Sequence, residues 1–278
     1  MRFSIVLSWC VTLLCMGGGV GCEHQEAPRT DASEIRIASL SPAMTTTLQQ
    51  AGLGPLMVGR SAFCREADDL PVVGDLQHIN AEQLVRVNPS HVFVQRPGDA
   101  VGGVLQKLAQ EHGWTIVSQP IVDLPDVVLL LEQIAGTVPH EGVLQKCRVL
   151  SAGIADALRQ ASARQPHRVL ILSAEQSPLA WGRDTYLGQI VEAAGGRNVM
   201  ADNRWTPLSL EDVVRLNADV VIVPTAIDPM DLATLESAVD AERIHILYSP
   251  SIDIPGPHLA SLRLPIECIL QDAAEHSQ

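Results

Sequence analysis

Short apolar runs alternate with stretches of helical periodicity along the chain from Arg36 onward. The first half predicts strands at RIASL, LMVGR, HVFVQ and WTIVSQ, with helices in PAMTTTLQQAGLG and around residues 101–112. The second half predicts strands at RVLILSA, NVMA, VVIVP and IHILYS, with helices at 185–194, at 231–240 and after Pro257. Strands that alternate with helices favour parallel sheets covered by helices. The pattern therefore predicts an α/β fold in two successive parts.

The segment between these parts, residues 126–163, has helical spacing of its apolar residues and no strand alternation. The sequence GTVP at 136–139 interrupts it. This predicts a short helix and then a longer one over 139–163, with Pro139 in its first turn. At the α-helical rise, the longer helix would reach about 37 Å, enough to bridge two lobes.

Two segments of nearly the same sequence occur in the two parts: NAEQLVRVNPSHVFV begins at Asn80 and SLEDVVRLNADVVIV begins at Ser209. Six of the fourteen positions aligned from Ala81 and Leu210 are identical. Each segment predicts an N-capped helix of two turns that leads into a buried strand. The expected buried helix faces are Leu84, Val85 and Val87 in the first copy, and Val213, Val214 and Leu216 in the second. The chain is thus predicted to contain a duplicated lobe.

The composition permits a large core and disfavours nucleic acid as a partner. The chain has 278 residues, of which 46% are hydrophobic and 18% charged. Its formal net charge is −13, because 19 basic residues oppose 32 acidic ones. Nucleic-acid phosphates require a basic surface, so a different partner is expected.

The amino terminus has the features of a secretory signal sequence. Arg2 precedes an apolar stretch that ends in GGGVG directly before Cys22. This ending resembles a bacterial lipobox, although Gly19 stands where leucine is usual, and it predicts lipidation of Cys22. An ordinary cleaved signal and an uncleaved membrane anchor are the alternatives. The protein is therefore expected to be exported and lipid-anchored, in the periplasm or on the outer face of the membrane.

These patterns divide the chain into five regions. They are a signal peptide at 1–21, a polar tether at 22–34, an N-terminal α/β lobe at 35–124, an interlobe helical linker at 125–164 and a C-terminal α/β lobe at 165–278.

A set of motifs recurs in a fixed order after Glu34: strand, S-x-x-x-T, helix, A-G and V-G, followed by L-P-x-V-G. The motifs lie in RIASLSPAMTTTLQQAGLGPLMVGRSAFC, in LPVVGDLQHINAEQLVRVNPSHVFV and, for the second half, in SPLAWGRDTYLGQIVEAAGGRNVMADNRWTPLSLEDVVRLNADVVIV. In order and spacing they resemble the cobalamin and ferric-siderophore class of periplasmic substrate-binding proteins of ABC importers. The resemblance implies two Rossmann-like lobes with parallel sheets, bridged by a long rigid interlobe helix. It further implies a monomer that holds a small metal chelate between the lobes and delivers it to a permease with its ATPase.

Glu82 and Glu211 occupy matched positions at the starts of the duplicated helices. Acidic residues favour the first helical turn because they interact with the helix dipole, which is worth up to about 1 kcal/mol. The resemblance adds a second role, because family members present one acidic residue on each lobe to arginines of the permease. Both roles remain open at this point.

The resemblance places the ligand against loops at the carboxyl ends of the strands. The expected ligand contacts are Ser41, Pro42, Phe63, Arg65, Leu76, Gln77, Trp181, Arg183, Trp205 and Ser249. Trp181 and Trp205 suit a broad flat ligand, and core packing is their alternative role. Arg65 and Arg183 suit ligand carboxylates, and a surface role is their alternative.

The chain departs from the family pattern at positions that bear on the ligand. Leu76 stands where cobalamin binders favour an aromatic residue, and Asp75 stands where many haem binders have a tyrosine. Cobalamin-binding relatives often have cysteines near positions 194 and 268, but this chain has Ala194, so Cys268 lacks that partner. We therefore expect a corrinoid first, a ferric siderophore second and haem third.

No enzyme motif, such as G-x-S-x-G, H-E-x-x-H or a P-loop, occurs in the mature chain, so no enzymatic activity and no cofactor are predicted. Cys64, Cys147 and Cys268 lie far apart and show no metal-site spacing. A ligand-sensing lipoprotein without a transporter is the remaining alternative.

Overall fold

The computed structural model describes residues 34–65, 67–161, 166–174, 178–200, 204–227 and 232–276. Ile35–Gln278 form one compact unit. The predicted signal peptide, Cys22 and all of the tether except Glu34 lie outside the described residues. Within the described ranges, no helix is both long and apolar enough to cross a membrane.

The first half of the unit is built on a five-stranded parallel sheet with the order β3-β2-β1-β4-β5. Its strands are β1 (Ile37–Ser39), β2 (Met57–Ser61), β3 (Val72–Gly74), β4 (His91–Val94) and β5 (Thr115–Ser118). Its helices are α1 (Pro42–Gln50), α2 (Ala81–Val87) and α3 (Gly103–His112). The α/β arrangement predicted for this half is confirmed, and β3 is a strand that the hydrophobic pattern alone did not indicate.

Two helices, α4 (Leu124–Thr137) and α5 (Val143–Ala157), follow the first sheet and pack against each other. The predicted interruption after Gly136 is confirmed, because α4 ends at Thr137. The predicted bounds of the second helix, 139–163, are wrong at both ends. Gly142 has a left-handed conformation with φ 77°, so the helix begins only at Val143, and Leu158 caps its end. With 15 residues, α5 is about 22 Å long rather than 37 Å.

The second half is built on a four-stranded parallel sheet with the order β11-β10-β6-β8, beside an antiparallel ribbon of β7 and β9. The strands are β6 (Arg168–Ile171), β7 (Leu179–Trp181), β8 (Arg197–Asn198), β9 (Trp205–Pro207), β10 (Val220–Thr225) and β11 (Ile244–Tyr248). The helices are α6 (Tyr186–Ala193), α7 (Leu210–Leu216), α8 (Ala233–Glu236) and α9 (Arg263–His276). The helix predicted over 231–240 is reduced to the four residues of α8, and the ribbon was not predicted.

One hydrophobic cluster joins the two halves. It contains Ile37 and Phe93 of the first sheet together with Ile171 and Ile222 of the second. The apolar face of α4, including Leu130, belongs to the same cluster. The fold class, two lobes built on parallel sheets, is therefore confirmed, and the two sheets share a core through the helices that connect them.

The duplicated lobe is visible in matched hydrogen bonds at the end of each twin helix. Arg36 donates from Nε to the Asn88 carbonyl oxygen (3.1 Å) and from Nη2 to that of Val87 (2.7 Å). Arg168 makes the same contacts to Asn217 (3.4 Å) and Leu216 (2.7 Å). Both asparagines have left-handed backbone conformations, with φ values of 41° and 42°. The two halves thus repeat the same strand, helix and capping arrangement.

Candidate functional site

A cavity of about 660 Å³ lies at the carboxyl ends of the first sheet. Its walls come from the loops after β1, β2, β3 and β4, and from residues 253–255, which follow β11 of the second sheet. This is the edge at which open parallel α/β sheets bind their ligands. The volume lies within the range of about 300–1,000 Å³ that is usual for small-molecule sites.

Four of the ten expected ligand contacts line this cavity: Pro42, Phe63, Arg65 and Leu76. The Phe63 side chain is 64% exposed and that of Leu76 is 39% exposed, so both present apolar surface to the cavity. Residues outside the ten expected contacts complete the lining, namely Ala43, Arg60, Ala62, Cys64, Asp68, Gln95, Asp253, Ile254 and Pro255. The lining combines apolar surface with separate cationic and anionic groups.

A second cavity of about 300 Å³ adjoins the first and shares Pro42, Cys64, Arg65 and Ile254 with it. Ala226, Pro250 and Ser251 of the second half face Thr45 and Thr46 of α1 across this cavity. The two cavities together form a cleft between the two halves of the chain. From here on, this cleft means the residues that line these two cavities.

The floor of the cleft is fixed by a chain of buried hydroxyl groups. The Thr45 Oγ1 hydroxyl donates to Ser39 Oγ (2.9 Å), and Ser39 Oγ donates to the carbonyl oxygen of Ser41 (3.0 Å). Cys64 Sγ lies 3.0 Å from Thr45 Oγ1. Because Thr45 has already given its proton to Ser39, the Cys64 thiol is the donor in this contact. The first turns of α1 are thereby tied to the end of β1 and to the loop after β2.

Ser41 has a structural role in this arrangement. It is fully buried, and its Oγ accepts a hydrogen bond from the Met44 backbone N–H (3.1 Å) as the N-cap of α1. Pro42 then occupies the first helical position, where its missing N–H costs nothing. Ser41 therefore orients the cleft loop without presenting its side chain to the cleft.

The loop after β3 is held by Asp75 and Arg96. Asp75 accepts backbone hydrogen bonds from Gln77 and His78, both at 2.7 Å, and these bonds lower the pKa of its carboxyl group. Arg96 donates to the carbonyl oxygen of Leu76. The loop starts at Gly74, whose φ of 149° and close approach to the His78 carbonyl oxygen leave no space for a Cβ. Leu76 is thereby presented to the cleft, whereas Gln77 lines a separate cavity of about 200 Å³ beside α3.

Trp181 and Trp205 face each other across the β7–β9 ribbon. Trp181 packs against the core shared by the two halves, and the Trp205 side chain is 38% exposed. Within the described residues, neither tryptophan is part of the lining of the two cavities that form the cleft. The structure thus places the aromatic pair outside the lining that contains Phe63.

Arg183 and Ser249 also lie outside the cleft lining. Arg183 Nε lies 3.2 Å from Glu192 Oε1, so its charge has a partner within the same half of the chain. Ser249 lines a more open cavity of about 430 Å³ with Gln49 of α1 and His258. The expected contacts did not include residues 253–255, which form the second wall of the cleft. Their place shortly after the predicted strand IHILYS was the sequence signal that could have identified them.

One titratable group at the start of α4 and one in the second half have raised pKa values. Burial, aided by the negative charge of Asp253, raises the pKa of Tyr186 to about 12. Burial likewise raises the pKa of Asp123, which caps α4, while Arg204 opposes that shift. The Leu124 N–H donates to Gln189 Oε1 (3.0 Å) and joins α4 to α6. These contacts fix the position of the linker relative to the second half.

The twin glutamates lie at the second position of α2 and of α7. The Glu82 side chain is 84% exposed and pairs with Arg86 at 2.9 Å. Glu211 is exposed, and its neighbour Asp212 pairs with Arg215 at 3.1 Å. Hydrogen bonds from Ser209 lower the pKa of Asp212, which completes a capping box. Both glutamates are therefore accessible to a partner.

Comparisons with known proteins agree with this architecture. The family described as "Periplasmic binding protein" matches residues 37–243. The vitamin B12-binding protein of Yersinia pestis (strain Pestoides F) is 27% identical over 194 residues, which are 68% of this chain and 69% of the relative. The periplasmic vitamin B12-binding protein BtuF of Vibrio cholerae superposes with a TM-score of 0.69 at 20% identity, over 86% of this chain and 98% of that one. The periplasmic heme-binding protein HutB of Vibrio cholerae gives a TM-score of 0.67 at 18% identity, over 86% and 99% of the two chains.

Proposed function

Because the chain belongs to the periplasmic binding protein family, we propose that it is the extracytoplasmic substrate-binding component of an ABC importer and that its ligand is a corrinoid. The observation that carries the proposal is the cleft at the carboxyl ends of the first sheet, with Phe63 and Leu76 exposed in its wall. The family consists of binding proteins, so capture rather than chemistry is the expected activity.

The lining of the cleft suits a ligand with an apolar body and a polar rim. A corrin macrocycle carries methyl groups over its faces and amide side chains around its edge. Phe63 and Leu76 offer apolar contact, while Gln95 and Asp253 offer hydrogen-bond partners for amides. The curated relatives with 27% identity are vitamin B12-binding proteins, which supports the same ligand class.

A ferric siderophore is the second candidate because two cationic side chains lie in the lining. Arg60 is mostly held by internal bonds, to the carbonyl oxygens of Leu70 and Ser61 among others, whereas Arg65 is exposed. An exposed guanidinium favours an anionic chelate, since it makes charge-assisted bonds to carboxylates. Haem, the ligand of the HutB relative, is the third candidate.

Delivery and anchoring belong to the same proposal. We assign docking on the permease to Glu82 and Glu211, and attachment to the membrane to a lipid on Cys22. Of the ten ligand contacts predicted from the sequence, Pro42, Phe63, Arg65 and Leu76 are now favoured because they line one cavity. The other six lie outside the lining of the cleft and stay predictions, as do the five regions.

Calorimetric titration of the mature protein with cyanocobalamin, ferrichrome, ferric citrate and haemin tests the ligand. We expect saturable one-to-one binding of cyanocobalamin and no saturable heat from the other three. Binding of either ferric chelate without any heat from cyanocobalamin would replace the corrinoid by the second candidate. Binding of none of these compounds would contradict the proposed ligand class altogether.

A further inference from the structure

The loop between β2 and β3 carries two of the favoured ligand contacts, Phe63 and Arg65. Phe63 is the third residue of a turn, which the Cys64 N–H closes by donating to the carbonyl oxygen of Ser61 (3.2 Å). The Phe63 side chain is 64% exposed and, within the described residues, belongs to none of the hydrophobic clusters. Core packing therefore does not hold the ring, and its position depends on the backbone of the loop.

Arg60, in strand β2, fixes the near end of that backbone. Its Nη1 group donates to the carbonyl oxygens of Ser61 (3.1 Å) and Cys64 (3.3 Å), which lie on either side of Phe63. Because Nη1 carries two N–H bonds, it can serve both carbonyl oxygens at once. One end of the guanidinium thus clamps the turn that carries Phe63.

The other nitrogens of Arg60 hold the far end of the loop. Nε donates to the Leu70 carbonyl oxygen (3.2 Å), and Nη2 lies 3.4 Å from Oδ1 of Asp68. The Arg60 backbone N–H donates to the Pro71 carbonyl oxygen (3.0 Å). Before these anchors, Ala67 has a φ of 72°, a conformation that a non-glycine residue keeps only where its surroundings enforce it. A single arginine thus joins the two ends of the loop.

The guanidinium of Arg60 is directed into the protein. Arg60 lines the cleft, but its side chain is only 13% exposed, whereas Arg65 is exposed. Its N–H groups are engaged by three carbonyl oxygens and a carboxylate of the protein itself, which leaves little capacity to bind a ligand. Arg60 is therefore suited to hold the loop, and Arg65 to contact a ligand.

We propose that Arg60 is a positioning residue that holds Phe63 in place for the ligand. A loop that already has its bound conformation loses less conformational freedom on binding, and the difference appears as affinity. The role requires the planar fork of a guanidinium. A lysine carries the same charge, but its donors share one atom and cannot span carbonyl oxygens at both ends of the loop. This inference rests on the proposed binding function and explains what preforms the first wall of the cleft.

A double-mutant cycle between Arg60 and Phe63 tests the proposal. We expect Arg60→Lys to lower the affinity for cyanocobalamin at least tenfold. Phe63→Ala should then lower it by less than a further threefold, against at least tenfold in the wild-type background, because a ring on a loosened loop contributes little.

The matched control is Arg36→Lys. Arg36 likewise donates from its side chain to two backbone carbonyl oxygens, those of Val87 and Asn88, but it lies outside the cleft lining. This variant should bind cyanocobalamin as the wild type does, whatever it loses in melting temperature. A general loss of stability is thereby separated from loss of positioning.

Hydrogen exchange of the ligand-free protein gives a second readout. The N–H groups of Ala62, Phe63 and Cys64 are hydrogen-bonded in the loop. We expect them to exchange at least tenfold faster in Arg60→Lys than in the wild type, with the exchange of β4 unchanged. If Arg60→Lys does not fold, the exposed change Asp68→Ala removes one contact of the same clamp and should speed these exchanges at least threefold.

Wild-type affinity of Arg60→Lys, or a full tenfold loss from Phe63→Ala in the Arg60→Lys background, would overturn the inference. If the wild type binds ferrichrome, ferric citrate or haemin instead, the proposed corrinoid fails, and the same cycle with that ligand decides the role of Arg60 separately. If the wild type binds none of them, the proposed function fails. The exchange rates then decide whether Arg60 holds the loop, and unchanged rates would overturn it.

Discussion

The Glu82→Lys, Glu211→Lys double variant is expected to lose ligand delivery almost completely while it retains ligand binding. Both glutamates are exposed at the starts of twin helices, and neither is among the residues that line the cleft. Charge-assisted contacts to permease arginines would be replaced by repulsion, which costs more than loss of the contact alone. We expect uptake of cyanocobalamin into vesicles that contain the importer to fall at least 100-fold, with calorimetric affinity unchanged.

A matched control distinguishes docking from a general charge effect. The Glu132→Lys, Glu275→Lys double variant makes the same change in net charge at two exposed helical glutamates, one in α4 and one in α9. It should transport normally. If the glutamates at the twin positions serve only the helix dipole, their loss costs up to about 1 kcal/mol of stability each and leaves uptake intact. Normal uptake by the Glu82→Lys, Glu211→Lys variant would therefore mean that Glu82 and Glu211 only stabilise the starts of their helices.

Leu130→Ala is expected to lower the free energy of unfolding by about 2–5 kcal/mol. Leu130 is fully buried in the face of α4 that contributes to the core shared by both sheets. Removal of three carbon atoms there leaves a cavity that neighbours from both halves cannot fill. Urea denaturation at equilibrium measures the change.

The adjacent Leu129 provides the control for this prediction. Its side chain is 48% exposed on the same helix, so Leu129→Ala should change stability by less than about 0.5 kcal/mol.

A shared core also predicts that the whole unit unfolds in one cooperative transition. Two separate transitions, or equal effects of the two substitutions, would show that the halves do not depend on α4 for a common core.

The alternation of strands and helices was sufficient to predict the fold class. Buried parallel strands leave a strong signal, because both faces of the sheet are covered and runs such as VVIVP become continuously apolar. The β7–β9 ribbon left no such signal, since each of its strands has only three residues and they pair through tertiary contact. The bounds of α5 were mispredicted because the left-handed conformation of Gly142 is a local backbone choice that hydrophobic spacing does not report.

The expected ligand contacts that line the candidate site all belong to one of its walls. Pro42, Phe63 and Arg65 come directly after strands that the hydrophobic pattern predicts, and Leu76 follows the L-P-x-V-G motif of the family resemblance, so their loops could be placed at one edge of a sheet. The opposite wall, residues 253–255, is brought there by the packing of the second half, which depends on contacts between residues far apart in sequence. The assignment of Val85 and Val214 to buried helix faces is wrong, because their side chains are 39% and 56% exposed. Periodicity alone cannot rank neighbouring apolar positions in a two-turn helix.

The most direct measurement of the central claim is the affinity of Phe63→Ala for cyanocobalamin. Contact with the ligand would remove the exposed Phe63 ring from water, and burial of such a side chain is worth about 1.5–3 kcal/mol, or roughly 10- to 150-fold in affinity. Leu144→Ala in α5, where the native side chain is 50% exposed and outside the cleft lining, is the control and should bind as the wild type does. We predict a loss of at least tenfold for Phe63→Ala alone. Equal affinities for the wild type and both variants would contradict capture of a corrinoid in this cleft.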